Sequence, residues 1–185
     1  DVGIQANTKL IFLETPNSMT FEMQDIAAVS GIAKKHEVLL AIDNSYASPI
    51  FQQPTKLGAD LIIHSATKYL NGHHDVVASA VCGSKKLIRK MMTEEFMTLG
   101  AIISPFDAFL VLRGLRTLKL RMAAHEKNTR EVVAFLEKQP KIKAVNFPFL
   151  SVTNSLVLIN QLRSTPSLWE EEVFNCNGQY GQGVA

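Results

Sequence analysis

Two continuous apolar runs constrain the fold of this chain more than any other feature of its sequence. Residues 38–43 (VLLAID) and residues 60–64 (DLIIH) place apolar side chains at consecutive positions, and each run ends on a polar residue. A strand with one solvated face alternates apolar and polar residues, whereas a continuous run is typical of a strand that is covered on both faces. The two runs therefore predict strands of a parallel sheet with helices on its faces.

Helical and strand patterns alternate along the rest of the chain. Asp25 is expected to cap a helix that ends near His36, and Pro105 fits the first turn of a helix that ends near Gly114. This alternation with short links predicts an α/β fold with a mostly parallel sheet. The other predicted elements are strands at residues 9–14, 76–82 and 142–147, a helix after Ser84, and a long helix from about residue 115 to about residue 138.

Composition places the chain among proteins with a substantial core. Of its 185 residues, 46% are hydrophobic, which is enough for at least one domain. The net charge of +2, with both signs mixed along the chain, argues against nucleic-acid binding. No apolar run reaches the roughly 18 residues that span a bilayer, and no targeting segment is visible at the start, so we expect a cytoplasmic protein without a membrane partner. Cys82 and Cys176 are expected to be buried, reduced thiols.

Both ends of the sequence differ from those of a typical complete protein. The chain begins with Asp1 rather than Met, and residues 151–185 combine polar and glycine-rich segments without a clear period. We therefore expect a partial chain, and the origin of residues 151–185 stays open.

Asp43 and Lys68 are expected at the same edge of the predicted sheet. Asp43 ends one strand, and Lys68 follows the next strand within Ser65-Ala66-Thr67-Lys68. Ligands of parallel α/β proteins bind outside the carboxyl ends of the strands. Pyridoxal 5'-phosphate (PLP) needs a carboxylate that keeps its pyridine nitrogen protonated and a lysine that forms a Schiff base with it. Asp43 and Lys68 suit these two roles, and the hydroxyls of Ser65 and Thr67 suit donors to the phosphate.

Each of these residues also has a simpler interpretation. Asp43 could cap a turn together with Asn44 and Ser45, and Lys68 could be a solvated lysine where a strand meets a loop. Either residue alone is weak evidence for a cofactor site. The ordered combination of strand and aspartate, then strand and Ser-x-Thr-Lys, then a turn containing Gly72 is much more specific.

Other candidate sites have less support. Residues 73–75 (HHD) could bind a metal, but adjacent histidines point in different directions and no further His/Cys cluster lies nearby in sequence, so no metal site is predicted. Ser65 as the nucleophile of a hydrolase would need a Gly-x-Ser-x-Gly elbow, which the sequence lacks. Three methionines, Met91, Met92 and Met97, are expected to pack in the core or in an interface.

Six segments of the chain together resemble one known family. They are Glu14-Thr15-Pro16, Asp43-Asn44-Ser45, and residues 57–60 (LGAD), 64–76 (HSATKYLNGHHDV), 104–107 (SPFD) and 112–118 (LRGLRTL). Over residues 8–150 the chain closely resembles the Cys/Met-metabolism family of PLP-dependent enzymes, the transsulfuration enzymes. The resemblance implies an aspartate-aminotransferase-like (fold type I) architecture that is incomplete in this chain. Residues 1–125 would belong to the large PLP-binding domain, and residues 126–185 would form a linking helix and the start of a small C-terminal domain.

The resemblance also implies roles for single residues. Lys68 would be the catalytic Schiff-base lysine, Asp43 the partner of the pyridine nitrogen, and Ser65 and Thr67 the ligands of the phosphate. Glu14 matches a family glutamate near the active site, and it is a further candidate for contact with the cofactor.

Several positions depart from the family pattern. Asn17 or Ser18 would have to replace a family asparagine close to the cofactor ring, and Asn71 stands where a glycine is usual. The family's N-terminal third, with its glycine-rich phosphate loop, is not recognised in this chain. Neither is the arginine that binds the substrate carboxylate, since Arg163 is not in a matching context.

The implied activity is that of a C–S lyase of sulfur amino-acid metabolism, with elimination as in cystathionine γ- or β-lyase and a small amino acid as substrate. The alternatives are γ-replacement, as in cystathionine γ-synthase or homoserine-ester sulfhydrylase, and a non-catalytic fragment of such an enzyme. Family members are typically tetramers built from dimers, in which a neighbouring chain completes each active site, so a homo-oligomer is expected.

Overall fold

A computed structural model describes residues 3–150 and Gln161. Its strands are β1 (Leu10–Glu14), β2 (Leu39–Asp43), β3 (Leu61–His64) and β4 (Ala80–Gly83). Its helices are α1 (Ile26–Lys35), α2 (Ser48–Phe51), α3 (Lys85–Met91), α4 (Met97–Leu99), α5 (Pro105–Leu115) and α6 (Leu118–Leu136). The connections include a 3-10 turn at Pro54–Leu57 and a π-helical segment at Met92–Phe96.

The four strands form one sheet in the order β1-β2-β3-β4. The first three strands are parallel, as the continuous apolar runs predict, and Ile42 in the central strand β2 is fully buried. The register places Glu14 opposite Asp43 and Asp43 opposite Ile63. Because parallel strands end at the same edge of a sheet, the two carboxylates are neighbours at the carboxyl edge.

Helix α1 packs against the sheet through a small apolar core. The Asp25 side chain accepts a hydrogen bond from the Ala28 N–H at 2.9 Å, which satisfies one open amide of the first turn and confirms the predicted cap. The buried residues of this core are Ile26, Ala33, Leu40, Ile42 and Ala59.

Helices α5 and α6 hold the turn that follows β3. A second core cluster joins these elements and consists of Ala66, Leu70, Leu118 and Met122. Gly114 of α5 touches the backbone of the turn, and a Cβ atom at Gly114 would overlap the carbonyl oxygen of Asn71. This close approach needs a glycine, and it fixes the turn against the helix.

Strand β4 differs from the prediction in length and direction. It begins at Ala80 rather than at residue 76, and it runs antiparallel to β3, with Val81 opposite Ile63. A parallel connection needs a crossover of a dozen or more residues, usually a helix. Residues 65–79 contain only turns and irregular backbone instead of a crossover helix, and among the described strands β4 lies at an edge of the sheet.

Two further expectations are wrong for the described part of the chain. Residues 142–147 form no strand, and none of the four strands pairs with them. Cys82 is exposed rather than buried, because it lies on the edge strand β4. The methionines were expected in the core or in an interface. Met92 and Met97 are 47% and 75% exposed, so they do not pack in the core formed by residues 3–150, and their place in an interface stays a prediction.

Some expectations cannot be compared with the described residues. Cys176 and the predicted start of a small domain after residue 150 lie outside them, apart from Gln161. The proposed boundary near residue 125 falls inside the continuous helix α6, and the division into two domains stays a prediction. No helix in the described part is long and apolar enough to cross a membrane.

Candidate active site

The carboxyl edge of the sheet opens into a cavity of about 800 Å³. Strands β1 and β2 contribute Glu14 and Asp43 at their last positions, and the turn after β3 contributes Ser65, Thr67 and Lys68. All five side chains line the cavity, as expected for residues at the carboxyl ends of neighbouring parallel strands. The fold therefore brings most of the candidate cofactor ligands together.

Asp43 caps a turn and still has capacity to bind a ligand. Its Oδ1 atom accepts a hydrogen bond from the Ser45 N–H at 2.9 Å. This is the capping role that the sequence left open, and it coexists with a place in the cavity wall. An ionised carboxylate offers about four acceptor positions, so one bond leaves most of them available.

Ser45 connects the end of β2 to the segment that carries Lys68. Its Oγ atom accepts a hydrogen bond from the Ser65 N–H at 2.6 Å. The sequence suggested Ser45 only as a partner of Asp43 in a cap. The bond to Ser65 fixes the separation between the strand that ends in Asp43 and the turn of Lys68.

A tight turn carries Lys68. The Lys68 N–H donates to the Ser65 carbonyl at 3.0 Å, and the Gly72 N–H donates to the Lys68 carbonyl at 2.9 Å. Gly72 has a φ of 74°, a left-handed conformation that glycine adopts without strain. The turn hydrogen bonds fix the Lys68 backbone. Its side chain is exposed and lines the cavity, so the amine is accessible.

The two hydroxyls near Lys68 differ in their availability. The Thr67 hydroxyl donates to the Ala78 carbonyl at 3.1 Å and accepts from the Ala78 N–H at 3.0 Å. Because a hydroxyl has one hydrogen, Thr67 could donate to a phosphate only by giving up its bond to Ala78. Within residues 3–150 no hydrogen bond engages the Ser65 hydroxyl, which leaves it available to a ligand.

Ser18 lines the cavity, and Asn17 does not. The Ser18 hydroxyl donates to Glu14 Oε2 at 3.2 Å. The Asn17 side chain serves a local turn instead, because its Oδ1 accepts from the N–H groups of Met19 and Thr20 at 3.0 and 2.7 Å. Of the two residues considered as substitutes for the family asparagine, the fold places only Ser18 at the cavity.

Sequence analysis did not assign Tyr69, Arg121 and His125 to the site. Tyr69 packs against His125 with 5.4 Å between ring centroids, and burial, reinforced by Tyr46, raises the pKa of Tyr69. Arg121 donates to the Tyr69 carbonyl at 2.9 Å, and burial lowers the pKa of Arg121. Arg121 and His125 are four positions apart on α6 and share a face, which is the signal that the sequence offered.

Three further histidines lie at or near the site: His64, His73 and His74. Burial lowers the pKa of His64 at the end of β3, while the charge of Asp43 and a hydrogen bond with the Asn44 backbone act in the opposite direction. His73 and His74 line the cavity. Within the residues that the structure describes, no group of three His, Cys, Asp or Glu side chains is arranged to hold a metal ion.

The chemistry of the available donors fits PLP. Asp43 offers a carboxylate with spare acceptor capacity, Lys68 a primary amine, and Ser65 an available hydroxyl. Lys68 also gives the cavity wall a positive charge, which suits an anionic phosphate. A carboxylate whose acceptor positions were all filled by protein donors could not have received a pyridine N–H.

The fold and this set of donors are characteristic of PLP-dependent enzymes of the fold-type I class. A family model described as Cys/Met metabolism PLP-dependent enzyme matches residues 2–167, and the chain belongs to this family. It is 48% identical over 153 residues to an L-methionine gamma-lyase of Porphyromonas gingivalis, covering 81% of this chain and 38% of the relative. It is 43% identical over 145 residues to a cystathionine gamma-synthase/O-acetylhomoserine (thiol)-lyase of Bacillus subtilis, covering 78% and 39%.

Solved structures confirm the predicted fold class. The structure of cystathionine gamma-lyase from Lactobacillus plantarum complexed with L-serine matches with a TM-score of 0.83 and 34% identity, over 86% of this chain and 42% of the other. A cystathionine gamma synthase from Xanthomonas oryzae pv. oryzae matches with a TM-score of 0.79 and 38% identity, over 83% and 40%. The chain thus spans 38% to 42% of the length of these four relatives.

Proposed function

We propose that the protein containing this chain is a PLP-dependent C–S lyase that acts on sulfur amino acids of the cystathionine type. The observation that carries the proposal is that Lys68 and Asp43 line one cavity at the carboxyl edge of the sheet. Relatives named L-methionine gamma-lyase, cystathionine beta-lyase and cystathionine gamma-lyase support an elimination reaction.

Three residues would hold the cofactor. Lys68 would bind it covalently through Nζ, Asp43 would accept a hydrogen bond from the pyridine nitrogen, and Ser65 would donate to the phosphate. Thr67 would join Ser65 if its bond to Ala78 were exchanged, and Glu14 lines the cavity at the end of the neighbouring strand β1. PLP, when bound, supplies a conjugated ring that can accept the electrons of a carbanion.

The chain's own residues would carry the proton steps. Lys68 Nζ would act as the base that takes the substrate α-proton. Asp43 would accept a hydrogen bond from the ring nitrogen and stabilise a positive charge there. The rest of the cavity wall would orient the substrate, and the ring pair of Tyr69 and His125 forms part of that wall.

γ-Replacement is the second candidate, because relatives named cystathionine gamma-synthase are also 37% to 43% identical. Elimination from cystathionine consumes water and releases cysteine or homocysteine, together with ammonia and a keto acid. Replacement joins cysteine to a homoserine ester and releases the ester's acid. Product analysis with cystathionine, and with O-succinylhomoserine plus cysteine, distinguishes the two reactions. If neither mixture yields a keto acid, the lyase activity is contradicted.

A variant of Lys68 tests the cofactor site directly. In the intact protein, Lys68→Ala should abolish the visible absorbance of lysine-bound PLP and lower turnover by at least about a hundredfold, since it removes the proposed base. Lys56→Ala, which changes an exposed lysine in the 3-10 turn, is the control and should keep both. Borohydride followed by peptide mass mapping should place the cofactor on Lys68. A wild-type protein that stays colourless with added PLP would instead support a non-catalytic fragment.

The protein is also proposed to form a homo-oligomer. Several large apolar side chains around helices α4 and α5 are exposed, among them Met97, Leu99, Ile102 and Phe106 at 67% to 80%. Contiguous exposed apolar surface commonly marks an interface with another chain. Sedimentation of the intact protein should give a dimer or tetramer, and a monomer at micromolar concentration would contradict this part of the proposal.

A further inference from the structure

Arg121 lines the candidate cavity, but the proposed reaction gives it no role. Its Nη1–H donates to the Tyr69 carbonyl at 2.9 Å and its Nη2–H donates to the Gly114 carbonyl at 2.8 Å. Its Nε–H donates to Thr117 Oγ1 at 3.0 Å. Three of its five donors are thus used on neutral acceptors.

The three acceptors belong to three different parts of the fold. Tyr69 directly follows Lys68 in the turn after β3, Gly114 lies in the last turn of α5, and Thr117 precedes α6. A guanidinium is a rigid planar fork, so three simultaneous bonds fix the acceptors relative to one another. The Lys68 turn is thereby tied to the junction of the two helices.

The same guanidinium also touches the far end of the turn. A Cβ atom placed on Gly72 would lie 2.7 Å from both Nη1 and Nη2 of Arg121, so a larger residue there would displace the guanidinium. Gly72 in turn donates its N–H to the Lys68 carbonyl. Arg121 therefore contacts the turn at two points after Lys68, at Tyr69 and at Gly72.

Charge pairing does not account for the position of Arg121. Within the described residues no carboxylate lies within ion-pair distance of its guanidinium, whereas Arg130 on the same helix pairs with Glu126 at 2.7 Å. Partial burial disfavours the charge, and hydrogen bonds to carbonyl oxygens offset that cost. The contacts of Arg121 are those of a structural clamp on the backbone.

We propose that Arg121 is a positioning residue that holds the Lys68 turn, through the Tyr69 carbonyl and Gly72, in the orientation that presents Lys68 to the cavity. The inference rests on the proposed role of Lys68, because a turn without a reactive amine would not need such control. Arg121 itself need not touch substrate or cofactor.

Hydrogen exchange of the intact, cofactor-free protein tests the clamp. Arg121→Lys keeps the charge and loses the planar fork. It should speed exchange of the Asn71 and Gly72 amides, which donate within the turn, by about tenfold or more. Amides of α1 and β2 should keep their wild-type rates. Unchanged exchange in the turn, or equal acceleration in every element, would overturn the proposal.

Arg130→Lys is the matched control. It makes the same change on the same helix, at a residue whose partners are Glu126 and the Phe149 ring rather than the Lys68 turn, and it should leave exchange at Asn71 and Gly72 unaltered. If Arg130→Lys accelerates that exchange equally, the effect belongs to α6 in general and the clamp is rejected.

Kinetics of the PLP-loaded protein provide a second readout. Arg121→Lys should retain the visible cofactor band and lower kcat by about tenfold to a hundredfold with little change in KM, because the lysine is misplaced while the substrate pocket persists. A kcat equal to that of wild type would contradict the positioning role. If the wild-type protein binds no PLP, the proposed function is contradicted. Hydrogen exchange still tests the contact between Arg121 and the Lys68 turn, because it is measured without the cofactor.

Discussion

At the residue scale, the carboxyl edge of the sheet combines a carboxylate with an uncharged imidazole. His64 is 5% exposed, and burial lowers its pKa against the pull of Asp43 on the neighbouring strand. A protonated His64 would compete with a ring nitrogen for the negative charge of Asp43. A neutral His64 therefore does not compete for the Asp43 carboxylate, which leaves it available to the proposed ring nitrogen.

The lowered pKa of His64 predicts a specific loss of stability in acid. Between the ordinary value of 6.5 and the lower pKa of the folded state, the unfolded chain binds more protons at His64 than the folded chain does. The free energy of unfolding should therefore decrease as the pH falls through this window. In His64→Gln this contribution is absent, so the variant should lose less stability than wild type between about pH 7.5 and about pH 5.5.

Urea unfolding at the two pH values measures the difference between the proteins. His74→Gln is the control, because His74 is exposed in the loop after β3, and this variant should show the same loss as wild type. Identical pH dependence in His64→Gln and wild type would contradict the assignment of the loss to His64.

At the scale of elements, the sequence predicted the parallel strands well, because their signal is local. The continuous apolar runs predicted the bounds of β2 and β3 to within one residue. Their carboxyl ends predicted that Asp43 and Lys68 lie at one edge of the sheet, and both residues line one cavity there. The predicted cap of α3 is also confirmed, since Ser84 Oγ accepts from the Leu87 N–H. Helix caps and buried strands depend on residues that are close together in the sequence, so the sequence alone is enough to predict them.

Elements that depend on distant partners were harder to predict. Residues 76–79 have an apolar start, but Ala78 exchanges hydrogen bonds with Thr67 in the turn after β3 instead of pairing with a strand. Arg121 resembles a solvated helix residue in sequence, because its acceptor Tyr69 lies 52 positions earlier. Asn17 looked suitable for the cofactor, yet its side chain is used in its own turn. In each case a tertiary or turn contact outweighed the local pattern.

At the scale of the whole molecule, a network of buried amides lies behind the candidate site. Gln52 is fully buried, and its Nε2 donates to the Thr15 carbonyl and to Asn44 Oδ1, both at 2.8 Å. Its Oε1 accepts from Gln161 Nε2 at 3.0 Å. Thr15 and Asn44 directly follow the last residues of β1 and β2, so the network connects the two strand ends that carry Glu14 and Asp43.

Replacement of Gln52 should therefore destabilise the whole fold. Gln52→Met keeps the length of the side chain but removes both donors, which leaves the Thr15 carbonyl and Asn44 Oδ1 buried without them. At about 1–3 kcal/mol for each of the two acceptors left without a donor, the free energy of unfolding should fall by about 2 kcal/mol or more. Gln53→Met is the control, because the Gln53 side chain caps nothing and is only half-buried, and it should cost less than about 0.5 kcal/mol. Urea unfolding of the intact protein measures both variants. Equal stability of the two would mean that water or a rearranged side chain replaces the Gln52 amide, and that the strand ends do not depend on it.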